Sequence, residues 1–189
     1  MNVWTRMEDA VLKVRQRLER ASSALQAAGI PFAIVGGNAV AAWVATVDEG
    51  AVRNTRNLDV MVRRGDLDRM REVLESVGFV YRHVAQMDIF LDDENARASD
   101  AVHLVFANEF VRPDNMAPNP DLGEVVLLNG TPVIGLLPLV EIKLTAWRDK
   151  DRTHLRDMLQ VGLIDESWLD RLPASLAGRL KQLIDDPNG

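Results

Sequence analysis

Asn57 and Asp59 stand two residues apart in the stretch RNTRNLDVMV, from Arg53 to Val62. Alternation sends Leu58, Val60 and Val62 to one face of a strand and Asp59 and Met61 to the other, with Asn57 on the Asp59 side. Side chains at i and i+2 lie about 7 Å apart, a spacing suited to a divalent cation that also touches a phosphate. Two carboxylates would be the harder donor set, and one of these two is an amide. The competing reading puts both on a solvated strand face.

A second group precedes them in VGGNAV. Gly36 and Gly37 allow a sharp turn from strand into helix, whose free N–H groups suit an anionic phosphate, with Asn38 expected as N-cap. An ordinary tight turn needs the same glycines. The third feature is Lys143, inside a helix with Leu139, Val140, Leu144 and Ala146. A buried ammonium is costly without an anion, so either Asp157, Asp151 or Glu141, or the phosphates of a substrate, should meet it.

The elements that must position these residues follow from periodicity. From Met7 to Ala28, Val11, Val14, Leu18, Leu25 and Ala28 recur at helical spacing and Gly29 is placed to end that helix. PFAIVGG reads as a strand running into the helix NAVAAWVA, and LDVMV as the second strand. GDLDRMREVLESVGF is a second amphipathic helix, with Leu67, Met70, Val73, Leu74 and Val77 inward and Gly78 at its end. YRHVAQMDIFL and AVHLVFA read as two strands of a hairpin. RPDNMAPNPDLGE reads as a loop over the site, and Asn129-Gly130 as the turn of a hairpin of two edge strands. Beyond Pro138 the pattern is helical, including DESWLDRL, with Gly162 as a stop, Asp165 as a cap and Pro173 at a helix start. The expectation is an α/β (α+β) fold: a mixed sheet with flanking helices over residues 1–137, and a helical extension over 138–189 packed on it as one unit.

With 189 residues and 47% hydrophobic content, one substantial core is expected. The chain contains no cysteine, which excludes disulfides, thiolate metal sites and a Cys nucleophile. The N-terminal residues carry no apolar signal region and no run is long enough to span a bilayer, so a soluble cytoplasmic protein is expected. A net charge of -6 argues against a protein that grips nucleic acid broadly. Arg53, Arg56, Arg63, Arg64, Arg69 and Arg71 are dense near the Asp59 strand; balance by Asp66, Asp68 and Glu72 is favoured over a phosphate track. His83 and His154 read as hydrogen-bonded structural residues, and Trp43, Trp147 and Trp168 as core or interface.

Taken together, VGGNAVAAWVATVDEGAVRNTRNLDVMV resembles the core signature of the DNA polymerase beta-like nucleotidyltransferases. That signature is a GG or GS turn at a helix start, then an Arg-x-Thr approach and a strand bearing Asp-x-Asp. VEIKLTAWRDKDRTHLRDMLQVG is similar to the C-terminal motif of AbiEii-type and related nucleotidyltransferases, and the two matches span about Phe32 to Leu163. The resemblance implies that Gly36, Gly37 and Asn38, with Arg53 and Thr55, face a nucleoside triphosphate. It implies a metal site of Asn57, Asp59 and His103 for Mg²⁺ or Mn²⁺, and catalytic roles for Asp59, Lys143 and Asp157, with Arg148, Lys150 and Arg152 as further contacts. Asn57 and His103 stand where that family has carboxylates. An amide is a weaker Mg²⁺ ligand and imidazole suits transition ions better. Asp88 and Asp100 are the nearby acids that could substitute.

Two functions follow from the resemblance. One is transfer of a nucleotidyl group from a nucleoside triphosphate to a hydroxyl of RNA, protein or a small molecule. The other is a degenerate nucleotide-binding or interaction module, as in one half of a toxin and antitoxin pair. Leu176, Leu180 and Leu183 form an apolar stripe compatible with intramolecular packing or a homodimer.

Overall fold

A computed structural model of the chain describes residues 2–53, 55, 57–113 and 115–187, with the backbone alone for residues 3, 4, 6, 7 and 99. Arg56 of the arginine group lies outside the described residues. Six α-helices and seven strands follow one another as α1 (Val3–Ala27), β1 (Ala33–Val35), α2 (Gly36–Ala45), β2 (Leu58–Val62), α3 (Leu67–Ser76), β3 (Val80–Val84), β4 (Met87–Leu91), β5 (Val102–Phe106), β6 (Val125–Leu128), β7 (Thr131–Ile134), α4 (Leu136–Ala146), α5 (Asp149–Gln160) and α6 (Ala174–Asp185).

One mixed sheet runs β3-β4-β5-β2-β1-β7-β6. The pairs β1/β7 and β2/β5 are parallel and the others antiparallel. Register aligns Val35 with Asp59, Asp59 with His103, and His103 with Ile89. Directly opposed residues share a sheet face, so these four form one row across four strands. The expected pair on β2 is therefore joined by a histidine from the next strand. Helix α1 packs on α3, while α2 packs with α4 and α5, and α6 packs on α4 and α5. Leu58, Val60 and Val62 are fully buried, as is Met61, which was expected to look outward. Along β2 it is Asp59 that is partly exposed.

The segment YRHVAQMDIFL is two strands, not one. Val84 pairs with Met87 and the chain turns at Ala85 and Gln86, both at positive φ (49° and 63°). Two left-handed residues are what a type I′ turn demands, and neither is the Asn or Gly that usually signals it. Long-range pairing of β4 with β5 overrides local turn chemistry here. Gln86→Gly is expected to stabilise the fold by about 0.5–1 kcal/mol, read as a raised urea midpoint at unchanged slope.

Asn129 and Gly130 do form the tight turn of β6 and β7, with φ of 50° and 78°. Of these two strands β6 is at an edge, while β7 pairs with β1 and lies inside the sheet. Val77 is exposed, since α3 ends one residue before it. Residues 166–171 wind as a 3₁₀ helix rather than an α-helix, capped by Asp165, whose carboxylate accepts from the Ser167 N–H at 2.9 Å. Leu176, Leu180 and Leu183 are buried within the chain. No described helix is long and apolar enough to cross a membrane.

Candidate nucleotide site

A cleft of about 770 Å³ opens beside the carboxyl end of β1 and the start of α2. Gly36, Gly37, Thr55, Asn57, Asp59, His103 and Lys143 all line it. Four separate chain segments thus bring these side chains together.

The glycines do steric work. Gly36 has φ +68°, and a Cβ there would sit 2.0 Å from Asp59 Oδ2. A Cβ at Gly37 would meet Thr55 Cγ2 at 2.3 Å. The turn lets the Asp59 carboxylate lie flat against the backbone that starts α2. Asn38 does not cap that helix: Val35 occupies the N-cap position, and Asn38 donates its Nδ2–H to the Asn57 carbonyl at 2.6 Å. It ties α2 to the approach to β2 and does not line the cleft.

Burial raises the Asp59 pKa above the ordinary aspartate value, opposed by the nearby charges of His103, Lys143, Lys150 and Arg148. His103 Nε2 lies 2.8 Å from the Ala98 carbonyl. A carbonyl only accepts, so Nε2 carries the hydrogen and Nδ1 holds the lone pair in the neutral ring.

Lys143 is 3% exposed and donates from Nζ to Asp151 Oδ1 at 3.1 Å. Of the acids considered for it, Asp151 is the partner. Burial pulls the Lys143 pKa down, while Asp151 and Asp59 act to raise it. Asp151 is 0% exposed and also accepts from Arg148 Nε at 2.6 Å and from the Arg148 N–H at 3.2 Å. Burial works against its charge, but Arg148 and Lys143 together hold its pKa below the usual carboxylate range. One anion therefore orients two cations at the cleft wall. Lys150 and Arg112 line the cleft too, and neither forms an ion pair among the described residues.

Two polar atoms on the lining, Thr55 Oγ1 and His154 Nδ1, are buried and have no hydrogen-bond partner among the described residues. The expected structural role of His154 thus lacks the bond from Nδ1. Burial and the charge of Lys143 lower its pKa to about 4. An unfolded histidine titrates near 6.5, so between pH ~6.5 and ~4 the unfolded chain binds the extra proton and stability falls as pH is lowered. His154→Asn is expected to flatten this part of the stability curve, by on the order of 1–3 kcal/mol at pH 4 relative to pH 7. Urea unfolding of both proteins at several pH values measures it.

Two expected site residues lie apart. Asp157 is buried and accepts from Arg53 Nε at 2.8 Å, and neither side chain lines the cleft. Their pair fastens the segment before β2 to α5. The other described arginines of the dense group are engaged too, but not in ion pairs with Asp66, Asp68 or Glu72: Arg63 pairs with Asp121 at 3.0 Å, Arg64 with Glu109 at 2.6 Å and Arg71 with Glu75 at 3.2 Å, while Arg69 donates to the Ala28 carbonyl. Asp88 points away from the cleft, since its neighbour Ile89 shares the face of His103. Burial opposes the Asp88 charge, yet hydrogen bonds from Tyr81 (2.5 Å) and His83 (2.8 Å) keep its pKa low. Asp100 does not line the cleft.

The far wall is the proline-rich loop. Arg112, Asn115, Pro118 and Pro120 line the cleft, and buried Asn119 pins the loop by donating to the Phe106 carbonyl at 3.0 Å. Of these, Arg112 and Asn115 carry no spacing signal that points to the site. Glu141 also lines it, with a pKa raised by burial.

A two-cation centre does not fit this donor set. Asp59 and His103 share the row across the sheet, Asn57 lines the cleft just before β2, and no group of three His, Asp or Glu able to hold a metal occurs among the described residues.

No family model matches the sequence, and no curated protein matches it significantly. Solved structures do match. A Helicobacter pylori protein provisionally named a nucleotidyltransferase aligns with a TM-score of 0.55 at 15% identity, over 94% of this chain and 78% of that one. The antibiotic-resistance factor ANT(2'')-Ia, known for substrate-regulated conformational dynamics, aligns at 0.53 and 12% identity over 91% of both chains. JHP933 of H. pylori aligns at 0.52 and 18% identity, over 94% of this chain and 75% of its own. At such identities the likeness is one of fold, and the fold of this chain is nucleotidyltransferase-like, a mixed sheet flanked by helices.

Proposed function

We propose that the cleft binds a nucleoside triphosphate and passes its nucleotidyl group to a hydroxyl of RNA, protein or a small molecule. The observation that carries this reading is the meeting of the Gly36-Gly37 turn, Asp59 and Lys143 around one opening of about 770 Å³, ample for a nucleotide. The start of α2 offers backbone N–H groups and the positive end of its dipole to phosphate. Lys143, with two ammonium hydrogens beyond the one given to Asp151, and Arg148 neutralise the β- and γ-phosphates. The acceptor oxygen attacks the α-phosphorus, the bond from that phosphorus to the bridging oxygen breaks, and pyrophosphate leaves. Asp59 takes the hydroxyl proton, a role that its burial-raised pKa suits. Asp157 serves from behind by holding Arg53.

A second reading has a specific observation in its favour. Asn57 and His103 offer an amide and an imidazole where this reaction usually relies on acids, which suits a nucleotide-binding module without turnover, including one partner of a toxin and antitoxin pair. Labelled ATP, CTP, GTP and UTP offered with total RNA and protein separate the two. Label transferred by the wild-type chain and lost in Asp59→Ala supports the enzyme. Nucleotide-dependent thermal stabilisation without transfer supports the binder, and neither effect removes both.

A further inference from the structure

The cleft is unusual in its charge. Asp59 and Glu141 are its carboxylates among the described residues, against Arg112, Lys143, Arg148 and Lys150 on the same lining. Asp151 behind the wall compensates Lys143 and Arg148 only in part, since one anion serves two cations. Arg112 and Lys150 have no ion-pair partner among the described residues. Asp59 lies within electrostatic reach of Lys143, Lys150, Arg148 and His103 together.

Consider a hexahydrated dication entering such a space. Mg²⁺ sheds water reluctantly and is ordinarily held by one or two carboxylates plus substrate phosphates. Here a single aspartate would have to hold it, in a cleft whose lining also carries Lys143, Arg148, Lys150 and Arg112, and each of those cations repels the ion. A bare polyphosphate meets the opposite situation. It finds Arg112 and Lys150, which have no ion-pair partner among the described residues, an ammonium and a guanidinium oriented by Asp151, and beside the glycine turn the Thr55 hydroxyl, without a hydrogen-bond partner among the described residues. A focused positive field raises the local concentration of an anion and lowers that of a cation.

Resting on the proposed nucleotide site, we infer that this cleft takes the triphosphate free of divalent metal, with Lys143, Arg148, Lys150 and Arg112 supplying the charge that Mg²⁺ supplies elsewhere. Magnesium then competes with the protein for the nucleotide instead of bridging the two. Restoring acids at positions 57 and 103 should convert the site to a metal-requiring one.

Isothermal titration of the full chain with ATP, CTP, GTP, UTP and inorganic tripolyphosphate tests this, each in EDTA and in excess Mg²⁺ at matched ionic strength. For at least one nucleotide, Kd in EDTA should equal or undercut Kd in Mg²⁺. Lys150→Gln, an exposed change that leaves the core untouched, should weaken binding in EDTA by about tenfold, as the loss of one charge-assisted contact does. The double variant Asn57→Asp with His103→Asp should instead bind better with Mg²⁺ than without it. Wild-type binding at least about tenfold tighter with Mg²⁺ overturns the inference while the nucleotide site stands. Absence of binding in both conditions overturns the inference and the nucleotide site together.

Discussion

Asp151→Ala is expected to cost ~3–5 kcal/mol of folding stability, the scale of removing one partner from a buried ion pair. The carboxylate is fully buried and serves Lys143 and Arg148 at once. Without it the Lys143 ammonium, only 3% exposed on a helix with fully buried Leu139, Val140 and Leu144, loses its one ion-pair partner among the described residues. Arg148, which is partly exposed, can turn outward, so the penalty falls mainly on the lysine. The double change Asp151→Leu with Lys143→Met should recover most of the loss, because no uncompensated charge is left in the core. Urea unfolding of the single and double variants reads both effects. A single variant as stable as the wild type would mean that Lys143 is not held as described. Since the Asp151 pKa is depressed by folding, its contribution is present above the unfolded value near 4 and disappears as pH falls through the lower folded value.

Gly36→Ala should have the second large effect, and it should be felt at the site. The backbone there is left-handed, which costs a non-glycine residue about 1–2 kcal/mol, and the new methyl would occupy the position of the Asp59 carboxylate. Gly130 gives the control: its φ is +78° and nothing lies within 4 Å of an added Cβ. Gly130→Ala should therefore show the backbone penalty alone and leave nucleotide binding unchanged. Gly36→Ala should lose more stability than that and weaken nucleotide binding by at least about tenfold, through displacement of Asp59. Equal behaviour of the two variants in stability and binding would contradict the close packing of the turn on the aspartate.

Much of the architecture is visible in the chain because hydrophobic period reports directly on burial. The helix before PFAIVGG, the strand-turn-helix at Gly36-Gly37 and the strand LDVMV are all present, although the first helix starts at Val3 rather than Met7 and the second at Gly36 rather than after Asn38. What periodicity cannot show is pairing between distant segments. The turn at Ala85-Gln86 has no turn residues, and its position is set by β4 lying against β5. The place of β7 inside the sheet depends on its parallel partner β1, about a hundred residues earlier.

The site divides the same way. Residue types alone single out Gly36, Gly37, Asp59 and Lys143, since a glycine pair, a carboxylate on an apolar strand and a lysine on an apolar helix each violate a local expectation. The resemblance alone brings Asp157 and Arg53 toward the site, and the structure has them bonded to each other outside it. Asn38 has the right type for a cap, yet the helix begins two residues sooner because Gly36 can take a left-handed φ. Arg112 and Asn115 carry no local signal, and the fold of the proline-rich loop against the sheet is what brings them to the cleft.

A crystal structure of the chain soaked with a nucleoside triphosphate analogue, non-hydrolysable between its α- and β-phosphates, tests the central claim most directly. Its phosphates should lie against the backbone of Gly36 and Gly37, within hydrogen-bond distance of Lys143 Nζ, and with the α-phosphate facing Asp59. A nucleotide seated elsewhere on the molecule, or a cleft that stays empty at saturating analogue, would contradict it.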